Sequence, residues 1–210
     1  MTSEQGLRQR KKERTRGALV EAAVTLFERK GYENTTIAEI AAAADVATRT
    51  FFAYFPTKED VLFADTEDRI ALALALIDAR APEDGLVDVL RRTVREIAET
   101  RTGGPGVAGR LPAIRARLTQ REPAVQGYAL RRLLEAQRQL ADRLRAAYPE
   151  KLDEVTAAAV VGSFVGALVG VVIVALRDVG VTNDPEVVLR AIRRAADVAV
   201  HGIAAIDAER

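Results

Sequence analysis

The sequence contains no cysteine and no tryptophan, and it has a single histidine. Without cysteine the chain has no disulfide, no thiolate metal ligand and no cysteine nucleophile, which fits a reducing cytoplasm. The single histidine, His201, has no second histidine or cysteine to share a metal, so we expect a surface or interface residue and no metal site. Nucleophile motifs and a dinucleotide fingerprint are also missing, which argues against an enzyme and predicts no cofactor.

The N-terminus lacks a long apolar run. MTSEQGLRQRKKERTRG is too polar for a secretory signal, so export by that route is not expected. The segment is basic instead, because six lysines and arginines face two glutamates in the first sixteen residues. Such a segment is typical either of a solvated terminus or of a contact with an anionic partner.

The residues that follow carry start and stop signals for short helices. Gly31 is typical of a helix end, and Thr36 with Glu39 matches a capping box, so a second helix begins at Thr36. Asp45 can take the left-handed conformation that a tight interhelical turn requires. A third helix must end before Pro56. The pattern predicts a three-helix unit of about fifty residues.

Aromatic residues are 5% of the chain, yet four of them stand in five consecutive positions of the third helix. Phe51 and Phe55 lie four residues apart, on one helical face, and we expect them to fill the core with Phe27 and Ile40. The residues left facing outward are Thr48, Arg49 and Thr50, with Phe52 and Tyr54 on the flanks. An arginine in this position can bind a guanine edge in the major groove, or it can be simply solvated.

The stretch TTIAEIAAAADVATRTFFAYFPTKEDVL, residues 35–62, resembles the helix-turn-helix signature of the TetR family of bacterial transcriptional regulators. The resemblance is strong through residues 16–62. It implies an all-α fold, with an N-terminal three-helix helix-turn-helix DNA-binding domain and basic N-terminal arm at 1–56. It also implies a C-terminal helical ligand-binding and dimerisation domain at 57–210. The implied partners are a double-stranded DNA operator, a small-molecule effector and a second copy of the chain.

The resemblance also assigns DNA-binding residues. These are Arg14, Arg16, Thr36, Thr48, Arg49, Thr50, Phe52, Tyr54 and Lys58. The resemblance places Thr36, Tyr54 and Lys58 at phosphates, and Arg49 with the adjoining threonines at bases or nearby backbone. Two positions depart from the family pattern, since Ala47 stands where serine or threonine is frequent and Phe52 where tyrosine is frequent. In this context we expect the basic arm to contact phosphates or enter an adjoining minor groove.

Helical periodicity continues through the remainder of the chain. The predicted helices span 57–79, 82–102, 110–120, 123–148, 155–176 and a last one from 185, with a glycine-rich connector at 102–109. We expect a ligand pocket among them, lined by Leu90, Ile97, Leu118, Leu133 and Phe164. The many aliphatic side chains favour an apolar or amphipathic ligand.

Residues 155–176, VTAAAVVGSFVGALVGVVIVAL, form a run of 22 residues without a charge. The run is long enough to cross a bilayer, but it lacks an aromatic belt and a clear positive-side bias, and it fits a buried or interface helix equally well. Glycines recur every four residues within it and let another helix approach closely. The expected dimer interface consists of Gly162, Gly166, Gly170, Val188, Ile192, Ala195 and Ala199, arranged as a four-helix bundle from two subunits.

Together these features predict a ligand-responsive transcriptional regulator, most simply a repressor in the cytoplasm. It would bind a near-palindromic operator as a homodimer and be released by a small molecule, without a membrane partner. Two alternatives remain: a membrane-tethered DNA-binding sensor that uses residues 155–176 as a span, and an enzyme with a helical pocket.

Overall fold

The computed structural model describes residues 3–99, 110–177 and 185–208, and all regular structure in these ranges is α-helical. The helices are α1 (Ser3–Lys30), α2 (Ile37–Ala43), α3 (Thr48–Phe52), α4 (Lys58–Leu62), α5 (Thr66–Asp78), α6 (Leu86–Glu99), α7 (Arg110–Arg121), α8 (Pro123–Ala147), α9 (Glu154–Arg177) and α10 (Pro185–Ala208). The predicted all-α class is confirmed. The predicted connector at 102–109 lies outside the described residues.

The helices belong to two compact units. The first contains Met1–Asp65 and Thr102–Gln126, and the second contains Thr66–Arg101 and Gly127–Arg210. The first unit therefore extends beyond the predicted domain end at residue 56. The reason is burial, because α4 and α7 both contribute apolar side chains to the first core, among them Leu62 and Leu118.

Aromatic rings occupy the centre of the first unit. Phe51 is fully buried, and Phe55, Phe27 and Ile40 belong to the same core, as the helical spacing predicted. The ring centres of Phe51 and Phe55 lie 5.8 Å apart, and those of Phe27 and Tyr32 lie 5.3 Å apart. Large rings give a short three-helix head the buried apolar area that its few residues could not otherwise supply.

The predicted end of α1 and the predicted start of α2 are confirmed. Gly31 ends α1 at φ 84°, where a residue with a Cβ would be strained. Thr36 caps α2, since Glu39 N donates to Thr36 Oγ1 at 3.3 Å and Thr36 N donates to Glu39 Oε2 at 2.9 Å. At its other end α1 continues back to Ser3, so the basic arm is helical.

The turn between α2 and α3 is set by Asp45, which has a φ of 55°. Val46 N donates to the carbonyl of Ala41 at 2.9 Å, and Asp45 N donates to that of Ala42 at 3.1 Å. This pair of bonds is the Schellman arrangement, which satisfies the last carbonyls of a helix and turns the chain sharply. The left-handed conformation predicted for Asp45 is thus confirmed.

A single helix over 57–79 was predicted, and this is wrong. Thr57 caps α4 as expected, but the helix ends at Leu62 and α5 begins only at Thr66. Arg115 of α7 holds the interruption, since it donates to the Leu62 carbonyl at 3.2 Å and to the carboxylate of buried Asp65. The Arg115 guanidinium gives the Leu62 carbonyl at the end of α4 a hydrogen-bond donor. The break is stabilised because this carbonyl is satisfied without a further helical turn.

The second unit has its own apolar core, built from α5, α6, α8, α9 and α10. Its buried members include Ile77, Leu86, Leu90, Leu144, Val160, Phe164 and Val200. The residues Glu154–Val171 of α9 are long and apolar enough to cross a membrane, and 22% of that window is buried within the chain.

Candidate nucleic-acid interface

The exposed face of α3 carries Thr48, Arg49 and Phe52. Phe52 follows the other two at helical spacings of four and three residues, so the three side chains share one face, and all three are exposed. Thr50 is half-buried. The helix begins at Ala47, which has extended backbone and provides no side-chain cap, in keeping with its departure from the family pattern.

Rings on the inner face hold this helix in place. Phe51 packs edge-on against Phe52, with ring centres 5.7 Å apart and an interplanar angle of 85°. Tyr54 is half-buried and packs against the same core. Because α3 has only five residues, its orientation depends on these buried rings more than on its own backbone hydrogen bonds.

Thr36 lies exposed at the start of α2, but its hydroxyl is already engaged. Thr36 Oγ1 donates to Glu39 Oε2 at 2.8 Å. The same carboxylate pairs with Lys30, and this ion pair, followed by the bonds from Thr36, lowers the pKa of Glu39 to about 2. Glu39 is therefore ionised at neutral pH, and the hydroxyl of Thr36 would have to change partner to donate to a phosphate.

Lys58, predicted to contact phosphate, makes three contacts within the first unit. Its ammonium donates to the carbonyls of Tyr32 at 2.8 Å and Thr35 at 3.0 Å, and lies 3.9 Å from the centre of the Tyr32 ring. Burial lowers the pKa of Lys58, against the opposing effect of Glu59. Lys58 thus ties the start of α4 to the turn between α1 and α2.

Tyr32 completes this cluster and was not singled out by the sequence. Its hydroxyl donates to the Glu59 carboxylate, and burial followed by that bond raises the pKa of Tyr32. The only sequence signal for Tyr32 was its position directly after Gly31, at the predicted end of α1. We infer a structural role, since the cluster joins the turn between α1 and α2 to the start of α4.

The two arginines predicted to bind DNA from α1 differ in placement. Arg16 is half-buried, donates to the Ala64 carbonyl and lies over the Phe55 ring, 5.7 Å from its centre. Arg14 is exposed. The other exposed basic residues of the arm are Arg8, Arg10, Lys11 and Lys12. A helical arm presents these charges on several sides, so only part of them can meet one DNA surface.

The predicted ligand-lining residues are not all brought together. Leu90 and Phe164 are buried in the core of the second unit. Ile97 and Leu133 belong to the same unit and are half-buried. Leu118 belongs instead to the core of the first unit, because α7 packs on that unit. A cleft of about 270 Å³ in the second unit lies between α8 and α9. Its lining consists of Leu134, Gln137, Arg138, Ala141, Asp142, Arg145, Glu154, Ala157 and Ala158, none of which was predicted.

A tight turn joins α2 to α3, and α3 presents an arginine, a threonine and an aromatic ring on its exposed face, which is the arrangement of a helix-turn-helix DNA-binding domain. Comparisons with known proteins agree. Residues 19–64 match the family described as bacterial regulatory proteins, tetR family. The chain is 34% identical over 151 residues to the HTH-type transcriptional regulator TcmR of Streptomyces glaucescens, covering 71% of this chain and 67% of that protein. The chain therefore belongs to the TetR family, and it is a DNA-binding transcriptional regulator.

Solved structures show the same fold. A TetR-family protein of Syntrophomonas wolfei superposes with a TM-score of 0.63 at 21% identity, over 92% of this chain and 97% of that one. FadR of Thermus thermophilus, a repressor solved with lauroyl-CoA, gives a TM-score of 0.54 at 22% identity, over 90% and 94% of the two chains.

Proposed function

We propose that this regulator is a homodimeric repressor that binds a near-palindromic operator and is released by a small molecule. The observation that carries the proposal is the exposed face of α3, which presents Arg49 together with a threonine and an aromatic ring. Two such faces in a two-fold dimer would enter major grooves about 34–36 Å apart, or a multiple of that distance. Thr36, Thr50 and Tyr54 would support the contact at or near the backbone, whereas Lys58, which donates to two backbone carbonyls, would hold the start of α4 in place.

The dimer proposal is supported by the apolar stripe of α9. Val155, Val169 and Ile173 are 77%, 37% and 43% exposed, although all three are aliphatic. A Cβ at Gly162, Gly166 or Gly170 would meet no other heavy atom within 4 Å. A second helix could therefore approach the α9 backbone closely and cover the stripe.

The predicted residues of α10 contribute unequally to this surface. Ile192 and Ala195 are half-buried and remain candidates for it. Ala199 is 8% exposed and packs in the core of its own chain, so it supports α10 from within. The side chain of Val188 lies outside the described ones. Val198, which was not predicted, is exposed and takes the place of Ala199 in the proposed interface.

The effector would be apolar or amphipathic. The second unit is built mainly from aliphatic side chains, and a protein of the same fold binds an acyl-CoA. A ligand that prefers a dimer with its DNA-binding heads splayed would shift the population away from the operator-competent spacing. Lauroyl-CoA and free laurate are suitable first probes, and a panel of apolar probes that leaves operator affinity unchanged would contradict this ligand class.

A membrane-tethered sensor remains the second candidate, because 22% of the α9 window is buried in the single chain. The two candidates differ in what covers α9. If a second subunit covers it, the protein stays in the supernatant after high-speed centrifugation without detergent, as expected of a cytoplasmic dimer. Recovery in the membrane pellet would favour the sensor.

The experiment that tests the proposed function is binding selection on fragments of the source genome, including DNA that flanks its own gene. We expect enrichment of an inverted repeat by the wild-type protein. Recovery of no enriched sequence would contradict operator binding. Reporter transcription from an enriched promoter then separates repression from activation.

A further inference from the structure

Phe52 differs from the aromatic residues around it. Phe51 is fully buried and Phe55 nearly so, whereas Phe52 is 53% exposed. Isolated exposed apolar residues are common on protein surfaces, so exposure alone assigns no role. The position of Phe52 on α3 indicates a role.

Phe52 shares the exposed face of α3 with Arg49, three residues earlier. At a rise of about 1.5 Å per residue, the two residues are about 4.5 Å apart along the helix axis. Base pairs are stacked at about 3.4 Å, so two side chains with this offset reach the same base pair or pairs at most about two steps apart. The edge-on contact with buried Phe51 fixes the direction of the ring.

The chemistry of a phenyl ring limits what it can recognise there. It has no hydrogen-bonding group, so it cannot bind a phosphate or the polar edge of a base. The apolar group that base pairs present in the major groove is the C5-methyl of thymine. Resting on the proposed operator binding, we propose that Phe52 is a specificity-determining residue that reads a thymine methyl within about two base pairs of the base read by Arg49.

Replacing thymine by deoxyuridine in the selected operator tests this directly, because uracil lacks only the methyl. Each thymine is replaced in turn, symmetrically in both half-sites. We expect one position, or two adjacent ones, at which wild-type affinity falls about fourfold per half-site, the effect of losing one buried methyl. Phe52→Ala should bind the thymine operator more weakly and should bind the thymine and uracil duplexes equally.

Two further variants control the comparison. Leu130→Ala removes a leucine that is 54% exposed in the second unit, and it should keep the wild-type pattern of uracil sensitivity. Phe52→Gln keeps a long side chain without the ring, and it should lose that sensitivity as Phe52→Ala does. Thermal unfolding of each variant shows that the first unit is intact.

The outcomes separate this inference from the proposed function. Equal wild-type affinity for all uracil duplexes, or unchanged uracil sensitivity in Phe52→Ala, overturns the role of Phe52 while operator binding stands. Binding selection repeated with Arg49→Ala identifies the base that Arg49 reads as the position whose preference is lost. A half-site with no thymine within about two base pairs of that position overturns the role of Phe52 as well. Failure to select any operator contradicts the proposed function itself.

Discussion

Arg49 stands exposed on α3, and its guanidinium carries five N–H donors. If it makes paired hydrogen bonds to a guanine, Arg49→Ala should weaken binding to the selected operator by about 1–3 kcal/mol and relax the preference at one position. Arg14→Ala, which removes an exposed arginine from α1, should weaken binding to operator and scrambled duplex alike. Fluorescence anisotropy titrations on both duplexes measure this. Equal losses for Arg49→Ala would reassign it to a phosphate.

Lys58 has two backbone acceptors inside the first unit, so its main role should be structural. Lys58→Met removes the ammonium that donates to the carbonyls of Tyr32 and Thr35, of which the first also accepts from Thr35 N at 3.2 Å, and should lower the free energy of unfolding by about 1–2 kcal/mol. The salt dependence of DNA binding should remain that of the wild type. By contrast, Lys11→Met removes an exposed charge and should lower the slope by up to about 0.9 if it contacts a phosphate. A comparable decrease in Lys58→Met would show that this lysine also binds the backbone of DNA.

In the first unit, the sequence predicted the burial of apolar residues better than it predicted the contacts of charged residues. Phe51 and Phe55 could be assigned to the core because burial follows from helical spacing. The placement of Arg16 and Lys58 could not be read in this way. Their partners are backbone carbonyls, Ala64 for one and Tyr32 for the other, and carbonyls leave no signature in a sequence.

At the scale of elements, the stability that the capping box contributes at the start of α2 should depend on pH. The pKa of Glu39 is lowered to about 2 from 4.5, chiefly by Lys30. Because the folded pKa is depressed, the stabilisation is complete above about pH 4.5 and is lost as the pH falls toward 2. Wild type should therefore be more stable than Glu39→Gln at neutral pH, and the difference should disappear in acid. Urea denaturation from pH 7 to pH 2.5 measures it, and a constant difference would contradict the pairing.

The start of α3 has no side-chain cap, and this is a correctable weakness. Ala47→Ser supplies a hydroxyl at the N-cap and should raise the free energy of unfolding by about 1 kcal/mol. Ala42→Ser, on the exposed side of α2, should be neutral or slightly destabilising, because serine in a helix interior competes with the backbone. Thermal and urea unfolding of both variants measure the two changes in stability. A gain in both variants would not come from capping.

Helix ends were predicted where the signal is local and missed where it is not. Gly31, Thr36, Asp45 and Thr57 act on their immediate neighbours, so their spacing was sufficient. The interruption after Leu62 depends on Arg115, fifty-three positions later in the chain. The apolar periodicity of the segment continues across the break and therefore indicated one helix.

At the scale of the whole molecule, the central question is what covers the apolar stripe of α9. Gly166→Leu places a side chain where the single chain offers open space, so the subunit should fold, while a partner helix could no longer approach. We expect a monomer in sedimentation velocity at concentrations where the wild type is a dimer. Gly17→Leu makes the same change at an open glycine of α1 and should leave the dimer intact. A Gly166→Leu dimer of wild-type stability would place the interface elsewhere.

Domain organisation was predicted only in outline. The head and the helical remainder follow from motif and periodicity, but the membership of α7 in the first unit does not. The pattern of α7 is that of an ordinary amphipathic helix, with Leu111, Ile114 and Leu118 on its apolar face. The pattern does not indicate which core this face packs against. Leu118 was predicted to line a ligand pocket, and it packs in the core of the first unit.

Hydroxyl-radical footprinting on a selected operator tests the account most directly. A two-fold dimer that inserts two α3 helices into the major groove should protect two symmetric patches about 34–36 Å apart, or a multiple of this distance, on one side of the duplex. Arg49→Ala should lose both patches at the same protein concentration. A single patch, or uniform protection of every duplex offered, would contradict the account.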